Sequence, residues 1–189
     1  MKAWQHLKTI THHRKLVRQG CFKVGLYWQG LTHDLSKYMP SEFLVGAKYY
    51  QGTRSPNNAE REAIGYSSAW LHHKGRNKHH FEYWVDFAIK EKCAVMPYKY
   101  AVEMVCDTLA AGIVYNGKDW KRDTQLNYYN NRTDKDYIHP KIRKFLLTVY
   151  EQVAREGIDK TITSKNLKRI YRCFPYCTPS ALSRVRLFL

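Results

Sequence analysis

Residues 98–115 read YKYAVEMVCDTLAAGIVY. Val102, Val105, Leu109 and Ile113 recur at three- and four-residue spacing, which predicts a long helix after Pro97 with that stripe buried. Asp107 interrupts the apolar run between Cys106 and Thr108, and Ala110 and Ala111 leave room for something to approach the carboxylate. A buried aspartate must be paired, hydrogen-bonded or metal-bound, because an isolated buried charge is too costly. An arginine partner, a helix cap and a metal ion all satisfy that requirement, and this helix by itself does not choose among them.

The same periodicity extends outward in both directions. A first helix is expected from about Lys2 to Gly20, stacking His6, Ile10, His13 and Val17 on one stripe. A second, over roughly Phe22 to Thr32, delivers His33-Asp34 at its C-terminal end. Pro40 suits the first turn of a third helix that stops near Gly52. Ser55 and Pro56 suit the start of a fourth, expected to continue to His73, where HKGRNK breaks it. HHFEYWVDFAIKEK (79–92) reads as a further helix, and 117–138 as polar and irregular at least in part. Pro140 opens a helix with Ile142, Phe145, Leu146, Val149 and Val153 on its apolar face, ended by Gly157. No alternating run is long enough for a sheet. The expectation is an all-α helical bundle, residues 1–157, with a basic C-terminal segment, 158–189, packed on it as two short helices. After Gly157 there are seven Lys or Arg and one acid, Asp159.

The chain has 189 residues, 44% of them hydrophobic, enough for one large domain with a real core. Lys and Arg number 32 against 16 Asp and Glu, a formal charge of +16 that draws phosphates on nucleotides, nucleic acid or lipid headgroups. No stretch approaches the ~20 apolar residues of a membrane span. The opening MKAWQHLKTITHHRKLV lacks the apolar core of a signal peptide, so a cytoplasmic location is the default expectation. Five cysteines are too few and scattered for a disulfide framework, and Cys173 and Cys177 read as small packing residues near a proline turn.

Histidines and aspartates fall in a distinctive order: His12 and His13 in the first helix, His33-Asp34 ending the second, His72, His73, His79 and His80 around one loop, and Asp107. Imidazoles and carboxylates drawn from separate helices are the means of building a metal cage in a bundle. A single histidine on an apolar stripe is more often a hydrogen-bonded core residue, so it is the ordered set that carries weight.

That set, with Val17 four positions after His13, LTHDLSK around the dyad and MVCDTLAA around Asp107, resembles the HD-domain superfamily of metal-dependent phosphohydrolases. The resemblance covers residues 13 to 111. More narrowly, THHRKLV, GLTHDLSKYMPSEF and HHKGRNKHHFEYW look like a bacterial and bacteriophage family described as a domain of unknown function. The glycine-rich signature of the cyclic-dinucleotide phosphodiesterase branch is absent.

The resemblance implies that His13, His33, Asp34 and Asp107 hold a divalent transition metal (Mn, Fe, Co, Ni or Zn). His73 with His79 or His80 would hold a second ion or protonate a leaving oxygen. Lys37, Arg76 and Asn77 are the nearest candidates for gripping phosphate, and Glu82 and Asp86 for orienting imidazoles. The expected activity is hydrolysis of a nucleotide or other small phosphate ester by metal-activated water. Two other readings remain: a basic nucleic-acid-binding protein without catalysis, and a di-iron oxygenase on the same scaffold.

Overall fold

Ten α-helices make up the bulk of the computed structural model, which describes residues 1–174. Among the described residues there is no strand, only an isolated bridge between Val85 and Cys93. The chain is all-α. The first helix, α1 (Lys2–Lys23), runs beyond its expected stop. Gly20 is there for close approach: a Cβ on it would meet Cys106 Sγ at 3.1 Å. The break comes at Val24 and Gly25, so α2 is short, Tyr27–Thr32.

A single-turn 3₁₀ segment, Leu35–Tyr38, leads to α3 (Pro40–Tyr49). The helix expected from Pro56 to His73 is two helices, α4 (Pro56–Ile64) and α5 (Ser68–Arg76). Gly65 sits between them at φ +84, a left-handed conformation that ends a helix at little cost to glycine alone. Ser67 then caps α5, its hydroxyl accepting from the Trp70 amide at 3.1 Å.

The helix expected over 79–92 does not form. Residues Phe81–Trp84 make one 3₁₀ turn, and an irregular loop follows. His80 is extended (φ −85, ψ 131), and the rings of His79 and His80 lie 4.1 Å apart.

The long central helix is α6 (Tyr98–Asn116), followed by α7 (Thr124–Asn130), α8 (Pro140–Glu156), α9 (Ile158–Thr161) and α10 (Ser164–Cys173). Helix α6 lies against α1, α2, α7 and α10, and α8 collects α7, α9 and α10. Val102, Val105 and Leu109 are buried as expected, while Ile113 is half-buried. With Phe145, Leu146 and Val149 of α8 and Leu167 and Ile170 of α10 they form one apolar core. Cys173, expected to pack, is exposed. It is the last residue of α10, and Cys177 lies outside the described residues. No helix of the described residues is long and apolar enough to cross a membrane.

Candidate metal centre

The break after α2 is where the site begins. His33 ends that helix, and Asp34 takes a left-handed conformation (φ 52, ψ 27) that turns the chain into the next segment. A non-glycine residue held there is strained, though aspartate tolerates it better than most. Arg14 of α1 fixes the turn: its Nε donates to the His33 carbonyl at 2.7 Å and its Nη2 to that of Leu31 at 3.1 Å. Both bonds satisfy carbonyls that the helix end leaves without partners.

Around the fully buried Asp34 two sets of side chains gather. In the first, His13 Nε2 lies 3.8 Å from Asp34 Oδ2 and 3.0 Å from Asp107 Oδ1, and His33 Nε2 lies 3.4 Å from each of those oxygens. In the second, His73 Nε2 and His79 Nε2 stand 3.3 and 3.4 Å from the other oxygen, Asp34 Oδ1. His80 joins them with its Nε2 2.9 Å from that of His73. One donor atom from each member of a set lies within 4.8 Å of every other, for His13, His33, Asp34 and Asp107 and again for Asp34, His73, His79 and His80. Asp34 therefore belongs to both, one oxygen to each.

Several of these atoms have no ordinary partner. His13 Nε2, His33 Nε2, His79 Nε2 and Asp34 Oδ1 are buried and have no hydrogen-bond partner, and Asp34 Oδ2 is met by the Lys37 ammonium alone. His13 Nε2 stands at ion-pair distance, 3.0 Å, from Asp107 Oδ1 without an aligned hydrogen bond. Buried polar atoms are nearly always satisfied, and each exception has to be explained. Nitrogen and carboxylate donors without thiolate suit Mn, Fe, Co, Ni or Zn in the divalent state, so the residues present fit such ions.

The outer ring nitrogens are held by carboxylates. Glu103 Oε1 is 3.0 Å from His33 Nδ1 and 3.2 Å from His79 Nδ1. Glu42 meets His73 Nδ1 at 2.7 Å and His72 Nδ1 at 2.6 Å. A proton placed on Nδ1 by such an acceptor leaves the Nε2 lone pair facing inward. Asn77 serves the same frame: its amide donates to Ser36 Oγ at 2.9 Å and to the His73 carbonyl at 2.8 Å.

Charge is balanced locally. Burial would raise the Asp34 pKa, but His33, Lys37 and His73 hold it well below the usual carboxylate range. Burial likewise opposes ionisation of Asp107, and His13 and His33 overrule it. For His33, burial favours the neutral ring, yet Asp34, Asp107 and Glu103 push its pKa up to about 10. Burial, with His79 and His73 beside it, holds His80 well below the normal histidine value. Lys37 Nζ reaches Asp34 Oδ2 at 2.6 Å, and its side chain is 30% exposed, at the edge of the cluster.

All seven histidines and aspartates expected as metal ligands lie in the two sets. His12 is exposed, and His72 stands beside the cluster on Glu42 and Ser41. Lys37 adjoins Asp34; Asn77 is turned into the frame; Arg76 is exposed at the end of α5. The orienting role expected of Glu82 and Asp86 falls to Glu42 and Glu103, since Asp86 is exposed and accepts the Ala88 amide. Glu103 was detectable: it precedes Asp107 by four residues and so shares its face of the helix. Glu42 carried no comparable signal.

The model of a family of unknown function (DUF5662) matches residues 2–152, and the chain belongs to that family. No curated protein matches it, and no solved structure does.

Proposed function

We propose that the chain is a metal-dependent phosphohydrolase of the HD-domain type, acting on a nucleotide or another small phosphate ester. The observation that carries this reading is the set of buried donor atoms around Asp34 that lack hydrogen-bond partners while their outer ring nitrogens are held by Glu103 and Glu42. His13, His33, Asp34 and Asp107 would hold one ion, and Asp34, His73, His79 and His80 a second. Bound there, a divalent ion supplies a Lewis acid for the phosphoryl group and lowers the pKa of water to about 7.

The rest falls to side chains of the protein. Asp34 faces both sets and stays ionised because His33, Lys37 and His73 surround it. Glu103 and Glu42 fix the imidazoles before substrate arrives, so no reorganisation is left for the reaction itself. Lys37 uses one of its three donors on Asp34 and, part-exposed, offers the others to a phosphate oxygen as a point charge. That cation at the edge of the cluster is what favours phosphoryl chemistry over oxygenation, for which the same donors would serve two irons.

The test takes untagged protein, elemental analysis, and a panel of phosphomonoesters and cyclic nucleotides with added Mn²⁺, Fe²⁺, Co²⁺, Ni²⁺ or Zn²⁺. Turnover that needs the metal and disappears in Asp34→Ala is the expected result. Unchanged turnover in the variant, or oxygen uptake without phosphate release, removes the hydrolase reading.

A further inference from the structure

A second surface lies outside the two donor sets and shares with their frame the side chain of Arg14, which lines it and holds the His33 carbonyl. His6, Ile10, His13 and Val17 turn one side of α1 inward, and the exposed Lys8, His12, Lys15 and Arg18 line a cleft of about 490 Å³ on its outer side. Gly30 and Leu31 of α2 form the far wall. Residues 1–33 hold six Lys or Arg and no Asp or Glu. Among the described ion pairs, Lys8, Lys15 and Arg18 take no part.

Aromatic surface adjoins the cations: Trp4, which lines the cleft, is 61% exposed, and Trp28, 72% exposed, stands three residues before the lining Leu31, the spacing of neighbours on a helix face. Lys8 Nζ already stands over the Trp4 ring at 5.2 Å, so cation and aromatic face adjoin. Large apolar side chains left in water beside unpaired cations are matched by a partner with anions and flat apolar faces in alternation.

We propose that this cleft binds single-stranded nucleic acid, with phosphates on Lys8, Lys15 and Arg18 and bases stacked on Trp4 and Trp28. Single strands expose the base faces that a duplex hides, and stacking with backbone contacts is how sequence-tolerant binding is built. A membrane surface is met instead by an apolar stripe flanked by cations, whereas here the cations line a concavity. The cleft lies on the other side of α1 from His13, so binding does not require a metal.

Fluorescence anisotropy of labelled oligothymidylate, with chelator present and salt varied, tests it. The wild-type protein should bind with a steep salt dependence. Lys8→Glu/Lys15→Glu/Arg18→Glu should lower the slope of log affinity against log salt by about 2, at ~0.7 per phosphate contact on a single strand. Trp28→Ala should weaken binding about 5- to 150-fold, the range that stacking one base supplies. Circular dichroism verifies that each variant is folded, as expected of exposed positions. No binding at low salt overturns the proposal. So does an unchanged slope in the triple variant, which would place the strand elsewhere. Equal affinity for duplex with no effect of Trp28→Ala overturns it too, as does binding to phosphatidylserine vesicles but not to the oligonucleotide.

Discussion

Helix α6 separates two interiors of opposite chemistry. On one side Val102, Val105 and Leu109 join Phe145, Leu146 and Leu167 in a core of fully or nearly fully buried carbon. On the other, half a turn round, Glu103 and Asp107 meet His13, His33 and His79. Burial drives the first together, since each apolar group removed from water adds stability. Burial opposes the second, and only the mutual pairing of Lys37, imidazoles and carboxylates offsets that cost. Several buried polar atoms on that side are left without hydrogen-bond partners. Damage to the apolar side should therefore appear as lost stability, and damage to the polar side as lost binding.

The largest expected effect is on the apolar side. Phe145→Ala removes a side chain with no exposure and should cost about 3–5 kcal/mol in urea unfolding. The number of metal ions bound by the folded variant should not change; if it does, the two interiors are coupled more tightly than this division allows.

Glu103→Gln strikes the polar side without changing shape. It weakens the acceptor for His33 and His79, and metal affinity should fall about 10- to 100-fold in a competition titration. Unaltered affinity would mean that the rings are held by packing alone.

His6 packs against Phe43 and Tyr50, outside both donor sets, and its effect is read in the pH dependence of stability. Burial, and secondarily Lys37, lowers its pKa from 6.5 to about 4. The unfolded chain thus takes up the proton first. Stability contributed by the neutral ring is full above about 6.5, declines as pH falls through that value, and is gone below about 4. Comparing wild type with His6→Leu across this window should show a difference on the order of 1–2 kcal/mol. Parallel pH profiles would reject it.

The smallest effect belongs to neither interior. Thr163 caps α10 by accepting the Asn166 amide at 3.3 Å, and Thr163→Ala should cost about 1 kcal/mol with metal binding untouched.

Much of this division was legible in the sequence. The stripes of α1, α6 and α8 were, because a helix with one buried side repeats its apolar residues at a fixed interval. So was the order of the histidines and aspartates. The interval fails where backbone geometry is set by distant groups. The segment 79–92 has a helical pattern, but it forms only one 3₁₀ turn, Phe81–Trp84, after an extended His80 whose ring joins that of His79 beside Asp34. Gly65 inside an apparently continuous helix gave a stop that its neighbours concealed, and Gly20 read as a stop where it serves contact with Cys106. Glu42 was invisible for a different reason: its role depends on α5 reaching α3, a contact of distant segments.

Metal titration of the untagged protein, followed by calorimetry and thermal melting, tests the central claim most directly. At about 100 times the dissociation constant one bound ion should add ~2.7 kcal/mol to stability. Up to two ions should bind, releasing protons as imidazoles give up theirs, and Asp34→Ala should abolish both signals. A wild-type chain that binds no transition metal, and melts at the same temperature with and without it, would contradict the account.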